Sequence, residues 1–110
     1  MLDRLTLDQL RVFIAAVETG SFSAAARKLN RAQSAISQTV CALETTLETP
    51  LFDRTARVPA LTEFGRAIIE DARRLVRDAE RIKGRARAYR ADREAALALA
   101  VDVMFPNALL

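Results

Sequence analysis

Residues 20–47 read GSFSAAARKLNRAQSAISQTVCALETTL, and their pattern decides the fold. Ser21 and Ser23 offer side-chain oxygens where a helix would begin. Ala24, Ala25, Ala26 and Leu29 then make a small apolar face, while Arg27 and Lys28 face water. Asn30 and Arg31 interrupt the pattern, and asparagine tolerates the left-handed backbone of a tight turn. The apolar spacing resumes through Ala35, Ile36, Val40, Leu43 and Leu47, predicting a helix over about residues 32–48. Two helices joined by so short a turn, with alanines where backbones must approach, form a helix-turn-helix whose second helix can present its outer face to a DNA major groove. An alanine-rich helical hairpin also serves plain core packing, so this stretch alone leaves both roles open.

On the N-terminal side, Thr6 and Gln9 have the spacing of a capping box, and Leu5 and Leu10 bracket it as a hydrophobic staple. Leu10, Phe13, Ile14 and Val17 recur at helical spacing until Gly20, which can supply a left-handed cap; a helix over residues 7–19 follows. On the C-terminal side, Pro50 cannot continue a helix. Leu51 to Arg54 and Arg57 to Leu61 read as two brief strands around a tip at Thr55 and Ala56, with Pro59 acceptable on an edge. This hairpin is a candidate wing carrying Arg54 and Arg57.

Thr62 can cap a fourth helix, in which Ile68, Ala72, Leu75, Ala79, Ile82, Ala86 and Tyr89 recur at alternating intervals of four and three. The stripe is a narrow heptad seam, with Arg66, Arg73, Arg74, Arg77, Arg81, Arg85 and Arg87 mostly off it. A helix over residues 62–90 is roughly 40 Å long at about 1.5 Å per residue. A domain this small cannot cover it, so self-association along the seam is the economical expectation. Beyond it, Leu97, Leu99, Val101 and Val103 alternate as a strand would, and Pro106 can open a helix. A strand without neighbours is not stable. Residues 92–110 are therefore expected to begin a second, truncated domain, after a head at 1–61 and a linker helix at 62–91.

The 110 residues allow one modest core, and 51% hydrophobic with 28% charged residues describes a folded chain. The net charge of +3 is a weak pointer to nucleic acid, although Lys28 and Lys83 are the only lysines and arginine's planar fork suits phosphate and base edges. With no histidine and the single Cys41, metal sites and histidine-based catalytic sets lack their raw material. The carboxylates lie beside arginines along helical faces, as solvated surface does, so neither an enzyme nor a cofactor is expected. Cys41 cannot form an intrachain disulfide, and no signal peptide or membrane span is recognisable, which fits a cytoplasmic protein.

Taken in order, Phe13, Gly20, Ser21, Phe22, Ser23, Ala25, Ala26, Leu29, Gln33, Ala35, Ile36, Ser37, Leu43, Glu44, Leu47, Leu51, Phe52, Arg54, Arg57, Leu61, Thr62 and Gly65 resemble the LysR-type transcriptional regulators over about the first ninety residues. The resemblance implies a mainly α protein: a winged helix-turn-helix with a short two-stranded wing and a long C-terminal dimerisation helix. It implies a nucleoid-associated homodimer reading an interrupted palindrome in double-stranded promoter DNA, with a tetramer as an open option in the full-length regulator. A small-molecule effector would bind only through a C-terminal domain of periplasmic-binding-protein type, whose first strand and the beginning of whose next helix residues 95–110 resemble.

Carried over by position, the residues that read bases and contact phosphate fall on Gln33, Ser34, Ser37 and Gln38, and the wing contact on Arg57. Gln33 can pair bidentately with adenine, and an arginine at a hairpin tip suits a narrow minor groove. Arg54 and Arg31 are further candidates, as are Ser21 and Ser23, whose hydroxyls can bind phosphate or simply cap a helix. Three departures stand out. Glu48 replaces the usual glycine, so the cap there should differ and the wing entry shift. Gln38 replaces a common arginine, which should weaken phosphate attraction. Ala32 replaces a frequent capping serine, leaving Asn30 or water to serve the first donors. The competing reading is an assembly module in which head and heptad helix make only protein contacts; it requires the polar face of the third helix to be covered.

Overall fold

The computed structural model describes residues 4–55 and 58–105. Helix α1, Leu7–Thr19, begins with the predicted capping box: the Thr6 hydroxyl accepts from the Gln9 N–H at 3.1 Å, and the Gln9 side chain accepts from the Thr6 N–H at 3.0 Å. Leu10 joins the core while Leu5 stays exposed. Gly20 ends α1 at φ 84°, where a Cβ would meet no neighbour; backbone conformation, rather than crowding, demands the glycine.

Helix α2, Phe22–Leu29, is capped by Ser21 and stopped by Asn30 at φ 57°. Helix α3, Gln33–Leu47, has Ala32 at its start with no side-chain cap and Glu48 at its end with φ 56°. Both helices close in the same way. The Arg31 N–H reaches the Ala26 carbonyl and the Asn30 N–H that of Arg27, just as Thr49 reaches Glu44 and Glu48 reaches Thr45. These paired bonds make a Schellman closure, so the expectation of a different cap at Glu48 fails: the glutamate adopts the backbone that glycine favours. Pro50 and the buried Leu51 require the chain to leave α3 there and turn back to the core.

Strands β1, Phe52–Asp53, and β2, Ala60–Leu61, pair antiparallel as Phe52 with Leu61 and Asp53 with Ala60. The ladder is shorter than the sequence suggested. Pro59 stays outside it, having no N–H to contribute. At the tip, Asp53 accepts from both the N–H and the hydroxyl of Thr55, which holds its carboxyl below the usual aspartate range.

Helix α4, Glu63–Met104, starts on the hairpin. The Thr62 hydroxyl accepts from the Gly65 N–H and donates to the Pro50 carbonyl. A Cβ on Gly65 would lie 2.5 Å from the Leu51 carbonyl oxygen, so only glycine lets helix and hairpin meet. Acids three residues before bases recur along α4, with Glu70 to Arg73, Asp71 to Arg74, Asp78 to Arg81 and Glu80 to Lys83 in contact.

The chain divides into two compact units at Val76 and Arg77. The first holds the core: Leu10, Val12, Phe13, Ala15 and Ala16 from α1, Ala25 and Ala26 from α2, Ile36, Val40 and Leu43 from α3, Leu51 and Phe52, then Ile69 and Ala72 from α4. Phe52 sits edge-on to both Phe13 and Phe22 at 5.7 and 5.3 Å. Two expectations need correction. Ala72, assigned to the self-facing seam, is 1% exposed inside this core, with Ile68 and Val76 packed against it; an apolar stripe does not announce which surface will cover it. Residues 95–104, expected to be extended, are helical through Met104. Alanine and leucine are strong helix formers, and a helix satisfies its own backbone where a lone strand cannot. In the second unit no described residue is buried.

Candidate nucleic-acid interface

One face of α3 is committed to the core through Ile36, Val40 and Leu43, all 0% exposed. The helical period then turns Gln33, Ser34 and Gln38 fully outward and Ser37 to the half-buried margin. None of these four side chains has a hydrogen-bond partner among the described residues, so their amide and hydroxyl groups are available. Because Ala32 offers no cap, the Gln33 and Ser34 N–H groups also open to solvent at the helix start; Asn30 does not take over that duty, being engaged as the cap of α2.

The other candidates among the described residues are already partnered. Arg31 forks onto Asp8 with bonds of 2.6 and 2.8 Å, tying the turn before α3 to the first turn of α1. The Arg31 hydrogen bond is the main reason the Asp8 carboxyl lies below its usual range, burial opposing it and the Arg31 and Arg11 charges assisting. A lowered native value means the stabilisation is present above the ordinary aspartate range and is lost as pH falls through the lowered one. Ser21 accepts from the Ala24 N–H at 3.0 Å, and Ser23 lies 3.4 Å from Ser21. Capping is thus the role the geometry displays for Ser21, and both serines are half-buried. Arg57 lies outside the described residues.

Arg54 is held by two groups. Its Nη2 lies 3.1 Å from Glu44 Oε1, and its guanidinium sits 5.5 Å above the Phe22 ring. Sequence reasoning named Glu44 only as part of a family pattern; its contacts seven and eight residues away had no signal in spacing. On α4, Leu75, Ile82 and Tyr89 are 49, 68 and 62% exposed, Ala86 is exposed and Ala79 half-buried, so the seam without Ile68 and Ala72 stays open in the protomer. Arg93 covers part of the Tyr89 ring. Among the described residues there is no acidic or thiol cluster suited to a metal ion, and no helix is long and apolar enough to cross a membrane.

A helix-turn-helix followed by a hairpin wing, with a polar unpaired face on its second helix, defines the winged helix-turn-helix class. The family model described as bacterial regulatory helix-turn-helix protein, lysR family, matches residues 7–66. The chain belongs to this family and carries its N-terminal DNA-binding domain with the linker helix. It is 45% identical over 80 residues to the HTH-type transcriptional regulator BlaA of Streptomyces cacaoi, covering 73% of this chain and 24% of BlaA. Among solved structures, the CbnR DNA-binding domain in complex with DNA is 40% identical, with a TM-score of 0.72 over 77% of this chain and 98% of that one. The BenM DNA-binding domain on catB site 1 DNA is 30% identical, with a TM-score of 0.74 over 77% and 96%. The chain spans from about a quarter to half the length of the curated relatives it matches.

Proposed function

We propose that the chain binds double-stranded promoter DNA sequence-specifically, as a homodimer on an interrupted palindrome, within a cytoplasmic transcriptional regulator that has no catalytic role. The observation that carries this reading is the exposed face of α3, where Gln33, Ser34 and Gln38 present free hydrogen-bonding groups beside Ser37. An assembly module would need that face covered, and within the protomer it is open.

In this reading Gln33, Ser34, Ser37 and Gln38 read base edges and adjacent phosphates, with the uncapped N–H groups of Gln33 and Ser34 at the backbone. Arg54 and Arg57 contact backbone or minor groove, and Ser21 and Ser23 lie beside a phosphate while capping α2. Arg31 contributes by exchanging or sharing its Asp8 partner with a phosphate. Two protomers join through Leu75, Ala79, Ile82, Ala86 and Tyr89. The greater length of the relatives supports an effector-binding domain following the helix, with residues 92–110 leading into it and any tetramer depending on it.

Footprinting on DNA upstream of its own gene, with Gln33→Ala in parallel, tests the assignment. Gln33→Ala should relax preference at one base position at a cost of about 1 to 3 kcal/mol, whereas Arg57→Ala should weaken all duplexes and lower the salt slope. Equal losses on specific and random duplexes for Gln33→Ala would remove it from base reading.

A further inference from the structure

Glu44 is out of place in a face that approaches a polyanion. It stands on α3, two turns beyond the base-reading positions, and its side chain is only 11% exposed. A carboxylate so enclosed needs partners, and it has three from the stretch 51–54 in and around β1. Oε2 accepts from the Leu51 N–H at 2.7 Å and the Phe52 N–H at 3.2 Å, while Oε1 faces Arg54 at 3.1 Å. Phe22, the first residue of α2, supplies the ring under the same guanidinium and packs its edge on Phe52. A single side chain thus joins the recognition helix to the backbone of β1 and to a wing arginine.

Resting on the DNA-binding reading above, we propose that Glu44 is a positioning residue for DNA recognition, fixing the wing and Arg54 against α3 before the duplex arrives. A free arginine would have to lose its rotamer freedom on binding; one clamped between a carboxylate and a ring has lost it already. Guanidinium has five donors, so Arg54 can keep Glu44 and still offer N–H groups to a phosphate. Its side chain remains 44% exposed for that contact.

The proposal makes a prediction opposite in sign to simple electrostatics. Glu44→Gln removes a negative charge beside a polyanion, which by itself should tighten binding, yet it keeps a carbonyl oxygen for the Leu51 and Phe52 N–H groups. Loss of positioning should instead weaken binding to a long mixed-sequence duplex at low salt by roughly tenfold, the scale of one charge-assisted hydrogen bond. The salt slope should become shallower by about one unit as Arg54 ceases to neutralise a phosphate. In an Arg54→Met background, Glu44→Gln should cause no further loss, because the loss travels through Arg54 and only the tightening expected from the removed charge is left.

Tighter or unchanged binding by Glu44→Gln overturns the inference, and so does an equal loss in the Arg54→Met background, which marks a role in folding alone. If thermal unfolding shows that Glu44→Gln disrupts the head, Arg54→Lys serves instead: it keeps the charge but not the fork, so a comparable loss sustains the proposal and wild-type affinity overturns it. Wild-type protein that leaves the duplex free overturns the DNA-binding reading itself, a result distinct from wild-type binding that Glu44→Gln does not alter.

Discussion

Glu48 shows how a residue's cost can be accepted for the path it allows. Asn30 and Glu48 are the two non-glycine residues at positive φ among the described residues, and each ends a helix in the same pair of backbone bonds. Asparagine tolerates that conformation; glutamate has no local hydrogen bond to compensate its Cβ crowding. Glu48 is exposed, and its side chain has no partner there. Glu48→Gly should therefore stabilise the head by up to about 1 kcal/mol, read as a higher urea midpoint with an unchanged slope. A lower midpoint would mean that the flexibility glycine adds to the unfolded chain outweighs the relief of strain.

At the scale of the element, α4 serves two surfaces in succession. Its first turns are bound into the head by Ile69 and Ala72, and its later apolar positions are exposed. Those two stretches should respond differently to substitution. Leu75→Asp leaves the head's buried residues untouched and places a charge in the open seam, so the head should keep its unfolding transition while sedimentation shows dimer giving way to monomer. An unchanged dimer would move the interface elsewhere. The i to i+3 ion pairs along α4 are exposed and add only a few tenths of a kcal/mol each.

For the molecule as a whole, stability should be distributed unevenly. The first unit encloses every buried residue, and the second encloses none of those described. Amide exchange should accordingly be slow for the core stretches of α1 and α3, whose opening needs most of the head's unfolding free energy of about 5 kcal/mol or more, and fast beyond Arg77. If the proposed dimer forms through this helix, raising protein concentration should protect residues 77–90 selectively, since Ile82, Ala86 and Tyr89 are exposed in the protomer. Protection there that is independent of concentration, and unaltered in Leu75→Asp, would contradict a dimer through this helix.

From residues 6–47 alone, three helices, the caps of the first two and the outward face of the third were legible, because capping, left-handed stops and a 3.6-residue period act over a few neighbours. The choice of Gln33, Ser34, Ser37 and Gln38 came from the family resemblance, and that period agrees with their outward direction once Ile36, Val40 and Leu43 are assigned inward. The tertiary structure alone decided what lies between elements: that Ala72 closes the head rather than the seam, that Glu44 clasps Arg54 and the wing, and that Arg31 is held by Asp8 across twenty-three residues. It also made residues 95–104 helical, where an alternating apolar run read as a strand. Local signals are written in spacing, but a partner supplied by a distant segment depends on how the packed core brings the chain together, and spacing does not encode that distance.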